Sequence, residues 1–188
     1  ANFSLNKDGE YLALVYSDGK TIVQEFSPSL PQQHTDISFG SGLYYPTPTP
    51  GVTNGRGYLE PAGDVFFSEP RGYRPAPFEL TLSTPTENAS VYYTLDGTEP
   101  TIDSTLYTEP LPIDKITYIR AIALKEGHIP SKVATRTWLF TDEILNQPTT
   151  PPAGWPSSYS VNNHKMEYGM NSYIVLKNRE ALKRGMTN

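Results

Sequence analysis

The chain has 188 residues, 37% of them hydrophobic and 19% charged, which excludes a low-hydrophobicity disordered polymer and leaves room for one or two domains. Fifteen lysines and arginines against twenty aspartates and glutamates give a net charge of −5, which speaks against binding a phosphate backbone, and the lack of cysteine excludes disulfides, thiolate metal sites and a cysteine nucleophile. Eighteen prolines and fourteen glycines beside thirteen tyrosines favour short strands punctuated by turns, and no apolar run approaches the roughly 18 residues of a membrane span.

In chain order, FSLN, YLALVYS and TIVQEFS are apolar runs separated by Asp8-Gly9 and Asp18-Gly19. Asp-Gly tolerates the positive φ that tight hairpin turns need, so this stretch predicts a three-stranded meander. So short a sheet with nothing to cover it is hard to stabilise, and the chain is expected to begin inside a domain. Residues 28–64 read as loop and linker: Pro46, Pro48 and Pro50 favour an extended path, and Gly51, Gly55, Gly57 and Gly63 mark turns.

From Val65 the pattern becomes that of a compact domain. Phe78, Leu80 and Leu82 alternate with Glu79, Thr81 and Ser83, and Val91, Tyr93 and Leu95 alternate with Tyr92 and Thr94 before Asp96-Gly97. Both read as half-buried strands, with Tyr93 and Leu95 facing the core and Gly97 at positive φ. Ile119, Ala121 and Ala123 share one face of the next strand, with Tyr118, Arg120, Ile122 and Leu124 on the other, and VATRTWLF makes a last strand. Short strands at this spacing predict an all-β fold, an immunoglobulin-like β-sandwich over residues 65–140. Beyond it lies an irregular C-terminal extension with a short amphipathic helix at most, in NREALKRGM, where Leu182 and Met186 stand four apart. Lys165, Lys177, Arg179, Lys183 and Arg184 outnumber Glu167 and Glu180, so this end is mildly basic.

Candidate sites are few. Asp96, Glu99 and Asp103 have the oxygen chemistry for calcium, but the alternating acidic ligands of a calcium loop are missing and Asp96-Gly97 is accounted for as a turn. His34, His128 and His164 are far apart and show no zinc spacing. No GxSxG elbow or phosphate-cradling glycine loop occurs, and Ser17 precedes a turn. Glu60, Glu69, Glu79 and Glu109 sit beside proline or on alternating strand positions, which suits solvated faces better than an opposed catalytic pair. The best binding signal is aromatic: Tyr44, Tyr45, Tyr73, Tyr92, Tyr107, Tyr118, Trp138, Trp155 and Tyr159 can stack on sugars or on a protein partner, although packing within a sandwich uses the same residues. Catalytic, metal and cofactor-binding residues are therefore expected to be none.

Three stretches carry resemblances. YYTLDGTEPT, STLYTEPLPI and YIRAIALKEGHIPSKVA, from Tyr92 to Ala134, resemble the immunoglobulin-like C-terminal domain of chitobiases and β-hexosaminidases. That resemblance implies an accessory domain beside a catalytic module. FSLNKDGEYLALVYSDGKTIVQEFSPSLPQQHTDISFG with PTPTPGVTNG is similar to the second half of a lamin-tail-like domain, and PPAGWPSSYSVNNHKMEYGMNSYIV, through Trp155-Pro156 and Tyr168-Gly169-Met170, resembles the lead-in to a CotH-kinase-like domain. Together they imply a partial lamin-tail-like domain at 1–55, a linker at 56–64, the sandwich at 65–140 and the CotH-like extension at 141–188. The expectation is a non-catalytic structural or interaction module of an exported bacterial protein, extracellular or on the cell surface. Its partners are other domains of the parent or a surface protein, with polysaccharide binding as the alternative, an inactive CotH-type kinase fragment as a third reading, and no nucleic acid.

Overall fold

Asp18 and Gly19 close the first hairpin for a local reason. The Asp18 carboxylate accepts from the backbone N–H groups of Lys20 and Thr21 at 2.9 Å each and from the Thr21 hydroxyl, and Gly19 takes a φ of +68°. In the computed structural model, which describes residues 4–156, 160–162, 164–165 and 167–187, this turn joins β1 (Leu12–Val15) to β2 (Ile22–Phe26), antiparallel with Leu12 opposite Phe26. The expected third strand of the meander is not there among the described residues: Ser4–Asn6 is not a strand, and Asn2 and Phe3 lie outside them. Asp8-Gly9 turns the chain instead toward residues 30–33, where the Leu30 N–H donates to the Glu10 carbonyl at 2.7 Å and the Gln33 N–H to that of Lys7 at 2.7 Å. A Cβ on Gly9 would lie 2.3 Å from the Leu30 carbonyl oxygen, so only glycine fits.

The segment read as loop contains a second hairpin, β3 (Ser38–Gly40) and β4 (Leu43–Tyr45). Leu30, Tyr44 and Tyr45 are buried, and Phe39 packs between Phe26 and Tyr44 with ring centroids 5.9 and 4.8 Å away. The Tyr44 hydroxyl donates to the Gln32 carbonyl at 2.8 Å, which satisfies its polar end. Proline-rich composition hid this hairpin because its strands are three residues each, too short for alternation to register. By contacts, residues 1–61 with the turn 126–129 make one compact unit, and 62–125 with 130–188 make the other.

The second unit begins with β5 (Phe66–Phe67), β6 (Gly72–Arg74), β7 (Phe78–Leu80) and β8 (Leu82–Ser83). It continues with β9 (Ser90–Thr94), β10 (Thr105–Leu106), β11 (Leu111–Ile113), β12 (Thr117–Leu124) and β13 (Ala134–Phe140). One sheet has the order β10-β9-β12-β13-β6, antiparallel except where β6 joins β13 in parallel. Facing it, the near-continuous run 78–83 pairs through β7 with β11 and through β8 with β5. Val91, Ile119, Ala121, Ala123, Trp138 and Phe140 from the first sheet meet Leu80, Leu82 and Ile113 from the second, the arrangement of an immunoglobulin-like sandwich. The fold is mostly β, as the turn-punctuated sequence predicts.

Leu95 departs from expectation: it is 52% exposed. β9 ends at Thr94, and the turn that follows, with Gly97 at φ +84°, carries Leu95 out of the alternation that points Val91 inward and packs Tyr93 on the core. The extension is also more ordered than an irregular tail with a short helix. After α1 (Thr141–Leu145) and the two-residue strands β14 (Ser160–Val161) and β15 (His164–Lys165), α2 runs over Ser172–Thr187 with a kink at Asn178. Asn171 caps it, its side-chain oxygen accepting from the N–H groups of Tyr173 at 3.1 Å and Ile174 at 3.2 Å.

Candidate functional site

Alternation along the five-stranded sheet sends one set of side chains into the core and the other outward. The outward set follows from register: Tyr73 on β6 lies beside Leu139 on β13, Tyr118 on β12 beside Thr137, Arg120 beside both Thr135 and Thr94, and Ile122 beside Tyr92 on β9. Tyr73 and Tyr118 are 45% and 43% exposed, whereas Ile122 is buried. This face therefore shows two accessible phenol rings with Leu139 and Thr137 on the strand between them.

The loop after β9 fixes one end of the face. Asp96 accepts from the Thr98 N–H at 3.0 Å and its hydroxyl at 2.6 Å, which hold the Asp96 carboxyl below its usual pKa, and the Thr94 hydroxyl donates to the Thr98 carbonyl at 2.7 Å. Arg120 reaches across from β12, donating to the Gly97 carbonyl at 3.0 Å and standing 3.6 Å from the Glu99 carboxylate. The turn then lies against Tyr118: a Cβ on Gly97 would sit 3.4 Å from Tyr118 Cε2. Beside this turn, an open groove of about 520 Å³ is lined by residues including Tyr93, Asp96, Thr98, Asp103 and Ser104.

Asp96, Glu99 and Asp103 do not converge as cation ligands. Asp96 is engaged by Thr98 and Glu99 by Arg120, and among the described residues no three acidic or histidine side chains gather to hold a metal. His34 packs edge-on to Tyr44 at 5.4 Å, His128 is buried with Nδ1 unpaired among the described residues, and His164 falls on β15, far along the chain from both. Ser17 is exposed in the first hairpin turn. Glu69 is paired with Arg74 at 2.9 Å, and Glu60, Glu79 and Glu109 are exposed.

The aromatic candidates divide sharply. Tyr44, Tyr45 and Trp138 are core residues, Trp138 donating from Nε1 to the Pro70 carbonyl at 2.9 Å, and Tyr107 packs against the core. Tyr92 is half-buried on the outer face, Trp155 is exposed and edge-on to Tyr168 at 6.3 Å, and Tyr159 lies outside the described residues. Among the described residues of this set, only Tyr73 and Tyr118 combine exposure with a shared sheet face. Their grouping was not legible, because β6 is a three-residue strand whose parallel pairing with a strand more than sixty residues later leaves no trace in local periodicity.

Residues 70–135 match the family model of the chitobiase/beta-hexosaminidase C-terminal domain, which agrees with the resemblance drawn from Tyr92–Ala134. No curated protein matches the chain. The matched stretch runs from just before β6 to the start of β13, so it contains most of the sandwich and the loop against Tyr118.

Proposed function

We propose that the chain is a non-catalytic structural and interaction module of a larger exported bacterial surface protein, with residues 65–140 as its accessory sandwich. The observation that carries this reading is the match of residues 70–135 to a domain named for its place at the C-terminus of glycan-cleaving enzymes. The chemistry of the unit agrees: its best-placed acids, Asp96, Glu69 and Asp142, are occupied by a turn threonine, an arginine, and a lysine with an arginine. Residues 1–55 serve as part of a lamin-tail-like domain, 56–64 as a linker and 141–188 as the lead-in to a CotH-kinase-like domain. The location is extracellular or on the cell surface, and the partners are the neighbouring domains of the parent. No described helix is long and apolar enough to cross a membrane.

The test is to incubate the pure protein with magnesium or manganese and labelled ATP, and separately with chromogenic hexosaminides. Neither phosphate transfer nor aglycone release is expected. Turnover that co-purifies with the folded chain and vanishes when one carboxylate is replaced would overturn the reading.

A second reading, an accessory module that binds carbohydrate, is favoured by one observation: Tyr73 and Tyr118 are accessible on a single sheet face.

A further inference from the structure

We propose that Tyr73 and Tyr118, with Leu139 and the Thr137 hydroxyl between them, form a platform for an extended neutral glycan of β-1,4-linked hexopyranose units. The proposal rests on the carbohydrate-binding reading and gives it a site and a ligand class.

Geometry argues first. Tyr73 is in register with Leu139 and Tyr118 with Thr137, so the tyrosines stand two strands apart and are offset by two residues. Sheet spacings then separate their backbones by about 12 Å. Alternate sugars of an extended β-1,4 chain present the same ring face at a comparable interval, so one chain can lie on both phenols with a sugar spanning the β13 side chains. Both tyrosines are carried on hydrogen-bonded strands of one sheet, which limits the ordering entropy lost on binding.

The chemistry agrees. A pyranose has an apolar C–H face and a polar rim, and its recognition calls for an aromatic surface flanked by hydrogen-bonding groups. Neither phenol makes a hydrogen bond among the described residues that would tie it down, and Thr137 and Thr135 offer hydroxyls on the strand between. Arg120, the charged group nearest Tyr118 in register, is already engaged by the Gly97 carbonyl and Glu99. Engaged in this way, Arg120 is not free to select an acidic polysaccharide. The turn at Gly97 backs Tyr118, so the ring is braced before a ligand arrives.

The experiment is a titration of the whole chain, carrying 13C-ring-labelled tyrosine, with a β-1,4-linked glucose tetramer and with the corresponding N-acetylglucosamine tetramer. The expected result is saturable movement of the Tyr73 and Tyr118 ring signals with at least one tetramer, the comparison showing whether the acetamido group matters. Tyr73→Ala and Tyr118→Ala should each weaken binding about three- to tenfold, while Tyr118→Phe retains it. No ring movement at millimolar sugar, or movement confined to other tyrosines, would overturn the platform and leave the non-catalytic reading standing. Cleavage of either tetramer would overturn the non-catalytic reading instead. If an alanine variant fails to fold, the ring signals of the unmodified protein decide the matter.

Discussion

Trp138 has no exposed surface, and its indole touches Phe67 and Phe78 with ring centroids 5.9 and 5.8 Å away while its N–H is satisfied by Pro70. Replacing it with alanine removes the largest fully buried side chain of the sandwich, and Trp138→Ala should cost about 3–5 kcal/mol of stability. Leu95→Ala, at a site half open to solvent, should change stability by no more than about 0.5 kcal/mol. Urea denaturation of the two variants checks the contrast, and equal losses would put Leu95 back in the core. These residues also mark what the sequence makes legible. Ile119, Ala121 and Ala123 are identifiable because β12 is eight residues long and its inward positions repeat without interruption. Leu95 defeats the same rule because turn chemistry at Asp96 and Gly97 takes over one residue earlier, and Trp138 can be read as a binding ring or a core ring until its neighbours are known.

At the scale of elements, α1 and α2 are joined by charge. Asp142 on α1 accepts from Lys183 at 2.7 Å and from Arg179, both on α2, and these contacts, Lys183 first, hold its carboxyl below the usual value. A carboxyl depressed in the folded state contributes stability above its unfolded pKa, and that contribution is lost as pH falls through the lower folded value. Docking of α2 should therefore be intact near neutrality and weaken below about pH 4. Amide exchange in α2 followed across that range tests this, and Asp142→Asn should remove the acid dependence. Protection of α2 that is the same at pH 3 and pH 6 would show that the pair does not hold it. The basic residues near the end were visible in sequence, but not their partner, because Asp142 lies about forty residues away and follows a strand with no capping signal. The long α2 was only partly visible because the buried Val175 stands among the exposed apolar residues Tyr173, Ile174 and Leu176, so its first turns show no clean apolar stripe.

Across the whole molecule, burial is uneven. The first unit buries Leu30, Tyr44 and Tyr45 but leaves Leu14, Val15, Tyr16, Ile22 and Val23 of its first hairpin exposed, while the second organises a continuous core on both sheets of its sandwich. Two-stranded ribbons are weak without cover, so amide exchange should be fastest in β1 and β2 and slowest in β9 and β12, whose ladders lie in the middle of the five-stranded sheet. Slow exchange in β1 would mean that something shields that ribbon in solution. The parallel union of β6 with β13 has a mechanical corollary. The first of these strands lies near the start of the sandwich and the other closes it, and three consecutive residues, Gly72 to Arg74, are matched to Trp138 to Phe140. Tension applied between those two ends pulls the pair along its own axis in opposite directions, so the bonds crossing between the strands are loaded together in shear and cannot open one after another like a zipper. A sandwich tethered in this way suits a place in line between other parts of a chain under pull, where the time it survives is set by its rate of forced unfolding.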